Sequence, residues 1–569
     1  MQLMILAIGC AVLTAVGDIP RSSVTVTDLG GRVGGRMAAC YERAVKNTDI
    51  GEIVGVFRVR DAVRDWKTEF WGKWMHAAPV LAAYYRDAAF REKIAAATAE
   101  VLATQSADGY IGNYPPARQC PTDGDGWDVW GRKYTLLGLL HQYDATHDRK
   151  LLEACLRMLD HLASQTGPGA KELDRIGNYR GMPSLSVLEP VMWLYGRTGE
   201  KRCLDYADYI VDRMEKGAGL LSKSSVDVAA RFPKPRHHWH WENGGKAYEM
   251  MSCYQGLVEY ARATGRKDVL AAAVAAGENI FTNEITVCGS GSARECWHYG
   301  RARQTQPSED PQECCVTVTW MRLCEALGRE TGEAKWADRF ERAFYNAYLG
   351  ALGPDGSFFA KYTPLAGVRT RGEGQCGLRT NCCTANGPRG FVEFLNFMAD
   401  AKGDVLTLNL YAPATVAFEL NCGKGALKVE TDWPEKDEVA LTLVADRPLD
   451  FTVRLRVPGE GRYRALSRTW KPGERIIEKL PLALHAVEQD GFTAFLRGPV
   501  VFAQDRRADG GETGFARQTV PVALSGAKLT LVDFASAGST WDDRSRYRVW
   551  LAGEGSSALS RDGRGGLER

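Results

Sequence analysis

Two pairs of adjacent cysteines, Cys314-Cys315 in QECCVTV and Cys382-Cys383 in TNCCTANGPRG, are the residues best suited to chemistry in this chain. A thiolate is a preferred zinc ligand and a strong nucleophile. Sequence neighbours seldom bridge each other, because a disulfide between them strains the intervening peptide. With Glu313 directly ahead of the first pair, the two stretches predict a thiolate-rich metal site closed between distant parts of the chain. Neither pair has the CxxC spacing of a zinc ribbon or finger. The competing account is four ordinary buried cysteines packed as small hydrophobes.

Other candidates fall in loops. GSGSARECWHYG offers Glu295 beside Trp297 and His298, with Gly and Ser that let backbone approach a ligand. RHHWHWENGG carries Trp239 and His240 and reads as a sugar-stacking loop rather than a metal site. In DGYIGNYPP, Asp108, Tyr110 and Asn113 could hydrogen-bond sugar hydroxyls, although DGY also makes an ordinary turn. Trp74 in FWGKWMHAAP and Tyr362 complete the candidate sugar contacts.

Helical hairpins must position these loops. HQYDATHDRKLLEACLRMLDHLAS (141–164), WLYGRTGEKRCLDYADYIVDRM (193–214), VEYARATGRKDVLAAAVAAGENIF (258–281) and CEALGRETGEAKWADRFERAFYNAYL (324–349) share one pattern: a helix, a small turn, then an amphipathic helix. A related hairpin precedes them at 82–105. Units of this kind stack or close into a ring, and the unusual loops fall on one side of it. After about residue 402 the texture changes to alternating apolar and polar residues broken by Gly, Pro and Asp, which predicts antiparallel strands. The expected fold is α+β and multidomain: an (α/α)6 barrel over 18–402, then an antiparallel β-sandwich over 403–555 and a flexible tail over 556–569.

The chain has 569 residues, enough for two or three domains. Its 72 basic and 70 acidic residues give a net charge of +2, no basis for a nucleic-acid or anionic-membrane partner. MQLMILAIGCAVLTAVG, residues 1–17, reads as a signal peptide without a basic start, so the expected location is exported, periplasmic or extracellular. It is too short for a convincing membrane span. Fifteen cysteines are scattered rather than framed as a disulfide scaffold, and a metal site would protect some of them after export. A homodimer is left open.

In order along the chain, FWGKWMHAAP (70–79), QSADGYIGNYPP (105–116), GRKYTLLGLL (131–140), LEPVMWLYGRTGE (188–200), SARECW (292–297), ECC (313–315) and NCCTANGPR (381–389) resemble glycoside hydrolase family 127. This is the family of retaining β-L-arabinofuranosidases. The resemblance implies a Zn2+ site built from Glu313, Cys315, Cys382 and Cys383, with Cys382 as nucleophile and Glu295 as general acid/base. Cys314 stands between two ligand candidates and could replace Cys315. A zinc-bound thiol is deprotonated at neutral pH and needs no separate base. Attack by Cys382 followed by hydrolysis would give net retention.

The sequence also departs from the family. Arg132, Lys133 and Lys246 stand in WGRKY and NGGKAYE where neutral histidines are expected, and the usual proline after the cysteines is missing from CCTANGPR. A pocket lined by these cations would favour a sugar bearing a carboxylate. Structural ion pairs are the alternative for Arg132 and Lys133. The leading expectation is therefore a secreted retaining glycosidase that removes an L-arabinofuranose-like, or an acidic or modified, pentose from an oligosaccharide or polysaccharide side chain. The alternatives are a polysaccharide lyase or uronic-acid hydrolase on the same architecture, and a non-catalytic carbohydrate-binding protein with structural zinc.

Overall fold

The computed structural model describes residues 24–167, 169–222, 226–232 and 242–552. The signal-peptide stretch 1–17, the tail 556–569, and Trp239 and His240 lie outside these residues.

Six helices touch one another in a closed cycle: Thr68–Tyr84, Asp128–Thr146, Leu188–Thr198, Ala247–Thr264, Cys314–Thr331 and Arg389–Phe397, with the last against the first. They are buried almost all round, which is why their sequences carry no clean polar face. The first two approach most closely. A side chain at Gly72 would meet the Tyr134 carbonyl, and one at Gly138 would meet the Trp71 ring.

Outer helices pack against this ring, among them Ala88–Leu102, Arg149–Gln165, Lys201–Lys216, Lys267–Asn283 and Ala334–Ala343. These are the amphipathic members of the hairpins. In Lys201–Lys216 the buried residues Cys203, Tyr206, Ala207, Ile210, Val211 and Met214 recur at helical spacing. The small turns end the inner helices as expected, with Gly199, Gly265 and Gly332 in the left-handed conformation at the C-terminal caps.

Strands dominate from Ala399 onward and form three sheets rather than a single sandwich. A five-stranded antiparallel sheet runs Val24–Thr27, Ala414–Leu420, Gly423–Thr431, Glu438–Val444, Arg475–Lys479. It faces a four-stranded sheet of Arg462–Trp470, Leu449–Val457, Val405–Leu408 and Ala399–Lys402, with Phe418 and Phe451 in contact across the gap at 5.2 Å. One pair in the second sheet, Val405–Leu408 with Leu449–Val457, is parallel rather than antiparallel. A third sheet, around Leu484–Gln489, Phe492–Arg497 and Val500–Asp505, has its own apolar core of Leu496, Val501, Val532, Phe534 and Trp550.

Two segments cross these divisions. Val24–Thr27 lies in the five-stranded sheet, paired with Ala414–Leu420, although the sequence reading grouped it with the helices. Ala366–Gly367, which follows Tyr362, pairs with Tyr547–Arg548 of the third sheet and ties that sheet to the site described next. No helix among the described residues is long and apolar enough to cross a membrane.

Candidate active site

Both cysteine pairs open helices. Cys314 and Cys315 are the first residues of Cys314–Thr331, and Glu313 is its N-cap. Cys382 and Cys383 begin the short helix Cys382–Asn386, where the Asn381 side chain caps Thr384 N–H at 2.9 Å. The thiols thus sit at the positive ends of two helices, a setting that favours thiolate.

The two helix starts bring Glu313, Cys315, Cys382 and Cys383 together, with one donor atom of each within 4.8 Å of all the others. Cys315 Sγ lies 3.6 Å from Cys383 Sγ, and Cys382 Sγ lies 3.8 Å from Cys383 Sγ. Glu313 Oε1 is 3.6 Å from the sulfurs of both Cys382 and Cys383. A tetrahedral site with metal–sulfur bonds of about 2.3 Å and a metal–oxygen bond of about 2.0 Å separates its donors by about 3.5–3.8 Å. The four donors therefore fit a four-coordinate metal. Cys314 is buried but stands outside this cluster, because successive helical residues point about 100° apart.

As bare side chains the sulfurs are unequal. Hydrogen bonds from Cys315 and Cys383 hold the Cys382 thiol well below the ordinary cysteine range, and Lys73 and Lys361 add to this against the effect of burial. Burial pushes Cys383 up. Cys382 is also the half-buried member of the four, whereas the other three are buried.

Glu295 sits above this cluster in a loop knitted by backbone bonds. Its carbonyl accepts from Ala247 N–H at 2.9 Å, Trp297 N–H donates to Gly245 O at 2.8 Å, and Gln312 N–H donates to Ser292 O at 3.2 Å. Glu313 forms a backbone bridge with Tyr362. Ser292, Arg294 and Glu295 all have positive φ, at 76°, 49° and 65°. Such backbone is costly for non-glycine residues and persists where the surroundings fix a functional geometry. The Glu295 carboxylate lies between two ammonium groups, Lys246 Nζ at 2.5 Å and Lys361 Nζ at 3.6 Å. Burial works against the charge on Lys246, but Glu295 and Glu249 more than offset it and hold its pKa well above the usual lysine value. Lys361 also reaches the cluster, since its carbonyl is 3.8 Å from Cys383 Sγ.

The other expected contacts divide sharply. Lys246 lies against Glu295 and Tyr362 bridges to Glu313 through the backbone. The guanidinium of Arg132 instead closes on Asp128 at 2.6 and 3.3 Å and on His161 Nδ1 at 3.2 Å, with all its donors directed into buried protein. Lys133 is fully buried, 3.6 Å from Glu189. Tyr110 donates to Asp128 at 2.8 Å and stacks under Arg132, and Asn113 donates to Asp65 at 2.8 Å. Asp108 closes the DGY turn onto Tyr110 N–H and pairs with His161. Trp74 is turned outward, with its indole on the Val45 carbonyl at 3.0 Å and its ring edge-on to Phe90. Trp297 is buried in its own loop. The His298 N–H is bound to Glu284 at 2.9 Å, and its imidazole, pushed down to about 4 by burial and Arg303, lies 3.9 Å from the same carboxylate.

Sequence reasoning missed Lys361, Glu249 and a buried group under the thiols: Glu69, Lys73, Trp130, Tyr134 and Tyr248. Glu69 and Lys73 left a signal, since two opposite charges four residues apart interrupt an apolar run in EFWGKWMHAAP.

A family model described as the Beta-L-arabinofuranosidase, GH127 catalytic domain, matches residues 42–396. The chain belongs to glycoside hydrolase family 127. It is accordingly a glycoside hydrolase, with a glycan as substrate. Solved GH127 structures share its fold. A GH127 beta-L-arabinofuranosidase from Geobacillus stearothermophilus T6 superposes with a TM-score of 0.75 at 16% identity, covering 93% of this chain and 100% of that one. A GH127 beta-arabinofuranosidase gives 0.74 at 19% identity, covering 95% and 98%. A third structure, described as a glycoside hydrolase, gives 0.68 at 18% identity, covering 94% and 99%. A search of curated proteins found no sequence match. The Glu-x-Cys and Cys-Cys motifs that suggested GH127 are thus the residues that converge in space.

Proposed function

We propose that this GH127 chain is an exported, zinc-dependent retaining glycosidase that removes an L-arabinofuranose-like sugar from glycan side chains. The observation that carries the reading is the close gathering of donor atoms from Glu313, Cys315, Cys382 and Cys383, all within 4.8 Å of one another, beside a carboxylate on a strained loop. Three sulfurs and one carboxylate form a donor set suited to zinc rather than to calcium or magnesium. Bound zinc would keep its thiols deprotonated at neutral pH. Export rests on the apolar start of the sequence alone.

Cys382 is the nucleophile in this reading. It is the least buried of the four donors and its thiolate is the most favoured. Its sulfur attacks the anomeric carbon as the bond to the leaving oxygen breaks, and Glu295 gives that oxygen a proton. The sugar is then held on Cys382 through a C–S bond. A water next gives a proton to the Glu295 carboxylate while its oxygen attacks the anomeric carbon, and the thiolate departs. Two displacements at one carbon give retention. Lys246 and Lys361 hold the Glu295 side chain in position, and that side chain must carry a proton when the first step begins and regains one in the second.

A neutral sugar is favoured over an acidic one. Arg132 and Lys133 are already paired with Asp128 and Glu189, and the two ammonium groups in the site are already engaged by Glu295. The test is hydrolysis of aryl pentosides by wild type, Cys382→Ser and Glu295→Gln, each with and without a zinc chelator. The reading expects β-L-arabinofuranoside to be turned over, with loss in the serine variant and on chelation. Glu295→Gln should keep part of its rate only with leaving groups that need no proton. Full activity of Cys382→Ser would remove the thiolate from the mechanism and favour a lyase-type reaction.

A further inference from the structure

The group beneath the thiols has a composition that packing alone does not explain. Lys73 is fully buried in the middle of Thr68–Tyr84, enclosed by the rings of Tyr248 at 4.8 Å and Tyr134 at 5.4 Å. Its ammonium has two polar contacts, Glu69 Oε1 at 2.9 Å and Cys315 Sγ at 3.9 Å. The other Glu69 oxygen accepts the Trp130 indole N–H. Removing a lysine from water is expensive unless its charge has partners, and the partners the ring of helices supplies are Glu69 and the Cys315 sulfur.

The sulfur concerned belongs to one particular ligand. Cys315 receives the ammonium, whereas the Cys382 sulfur lies against Glu313 Oε1 at 3.6 Å and Cys383 Sγ at 3.8 Å. Three thiolates and a carboxylate around a dication leave a surplus of negative charge in a buried place. An ammonium at 3.9 Å from one of them offsets part of that surplus. A hydrogen bond to a ligand sulfur also draws electron density from it and fixes its direction.

We infer that Lys73 is a positioning residue of the metal centre: its ammonium, held by Glu69, anchors Cys315 as the permanent sulfur ligand and leaves Cys382 as the thiolate free to react. This rests on the metal-site reading proposed above. What it adds to that reading is the residue that holds Cys315 in place, which the spacing of the four donors does not by itself contain.

The test compares wild type, Lys73→Met, Lys73→Arg and Glu69→Gln, each loaded with zinc and separately with cobalt(II). The readouts are metal per chain, zinc affinity by chelator competition, the thiolate-to-cobalt charge-transfer absorption, and circular dichroism to establish folding. Lys73→Met should bind zinc about 10- to 100-fold more weakly and shift the cobalt–thiolate absorption, with Lys73→Arg recovering most of the affinity. A folded Lys73→Met with wild-type zinc affinity and an unchanged cobalt spectrum would overturn the inference. Where Lys73→Met does not fold, Glu69→Gln decides. It removes the carboxylate charge that balances the ammonium while keeping an oxygen that can accept from it, and should shift the cobalt absorption without loss of zinc; an unchanged spectrum there overturns the inference equally. A wild-type chain that takes up no metal would instead refute the metal-site reading, and with it this extension.

Discussion

Asn381→Ala should weaken metal binding without touching any ligand. The Asn381 side chain is buried and bridges two backbone groups, accepting from Thr384 N–H at 2.9 Å and donating to Gly372 O at 3.1 Å. The helix it caps is only five residues long and carries Cys382 and Cys383 at its first two positions. So short a helix has little stability of its own. Losing the cap costs about 1 kcal/mol, and losing the second hydrogen bond costs about 1 kcal/mol more. Because the helix must be formed to present both thiols, most of this loss should appear in zinc affinity, as a fall of roughly 10- to 30-fold. Asn381→Ser keeps a capping oxygen and should lose only about 5-fold. The assay is competition for zinc with a chelator of known affinity, together with thermal melts of the zinc-loaded and zinc-free forms. The zinc-loaded form should melt lower in the alanine variant and the zinc-free form should barely change. Equal zinc affinity in wild type and Asn381→Ala would refute the idea that this cap sets the thiol geometry.

Other expectations concern the buried cations. Arg132→Met strands the buried Asp128 carboxylate and should destabilise the protein by about 3–5 kcal/mol, seen as a large fall in Tm with KM unchanged in the surviving folded enzyme. A raised KM with unchanged Tm would return Arg132 to the sugar site. Lys133 is held down to about 8 by burial, with Arg322 adding to the effect against the pull of Glu189. Its folded pKa lies below its unfolded value near 10.5, so the unfolded chain binds more protons between those two pH values and stability rises across that window. Below pH 8 the charged lysine is a burden, and Lys133→Met should stabilise the fold there by roughly 3 kcal/mol, an advantage that fades as the pH approaches 10.5. Denaturant melts at pH 7 and pH 10 check this, and the same difference at both would contradict it.

The hairpins were legible because each outer helix has one wet face and each turn ends in a residue suited to a left-handed cap. The inner helices were harder to delimit, since a segment buried on every side has no periodicity to read. Strand texture was clear, but its partition into three sheets was not. Alternation reports that one face is buried, not which sheet buries it, and the pairing of Val24–Thr27 with Ala414–Leu420 joins residues far apart in sequence. At the site, chemically distinctive residues carried the signal: Glu313, Cys315, Cys382 and Cys383 converge as their types suggested. Polar residues in loops misled. Asp128, four residues before Arg132 on one helix, was a legible ion-pair partner for it. That the same carboxylate takes Tyr110, and that Asp65 takes Asn113, depends on how loops fold together, which spacing does not reveal.

The most direct test of the account is intact and peptide mass spectrometry of the zinc-loaded protein after exposure to a slow or mechanism-based β-L-arabinofuranoside. The account predicts a single pentosyl adduct, on the peptide that contains Cys382, and none in Cys382→Ser. An adduct on Glu295, or turnover of the probe with no covalent species on any cysteine, would contradict it.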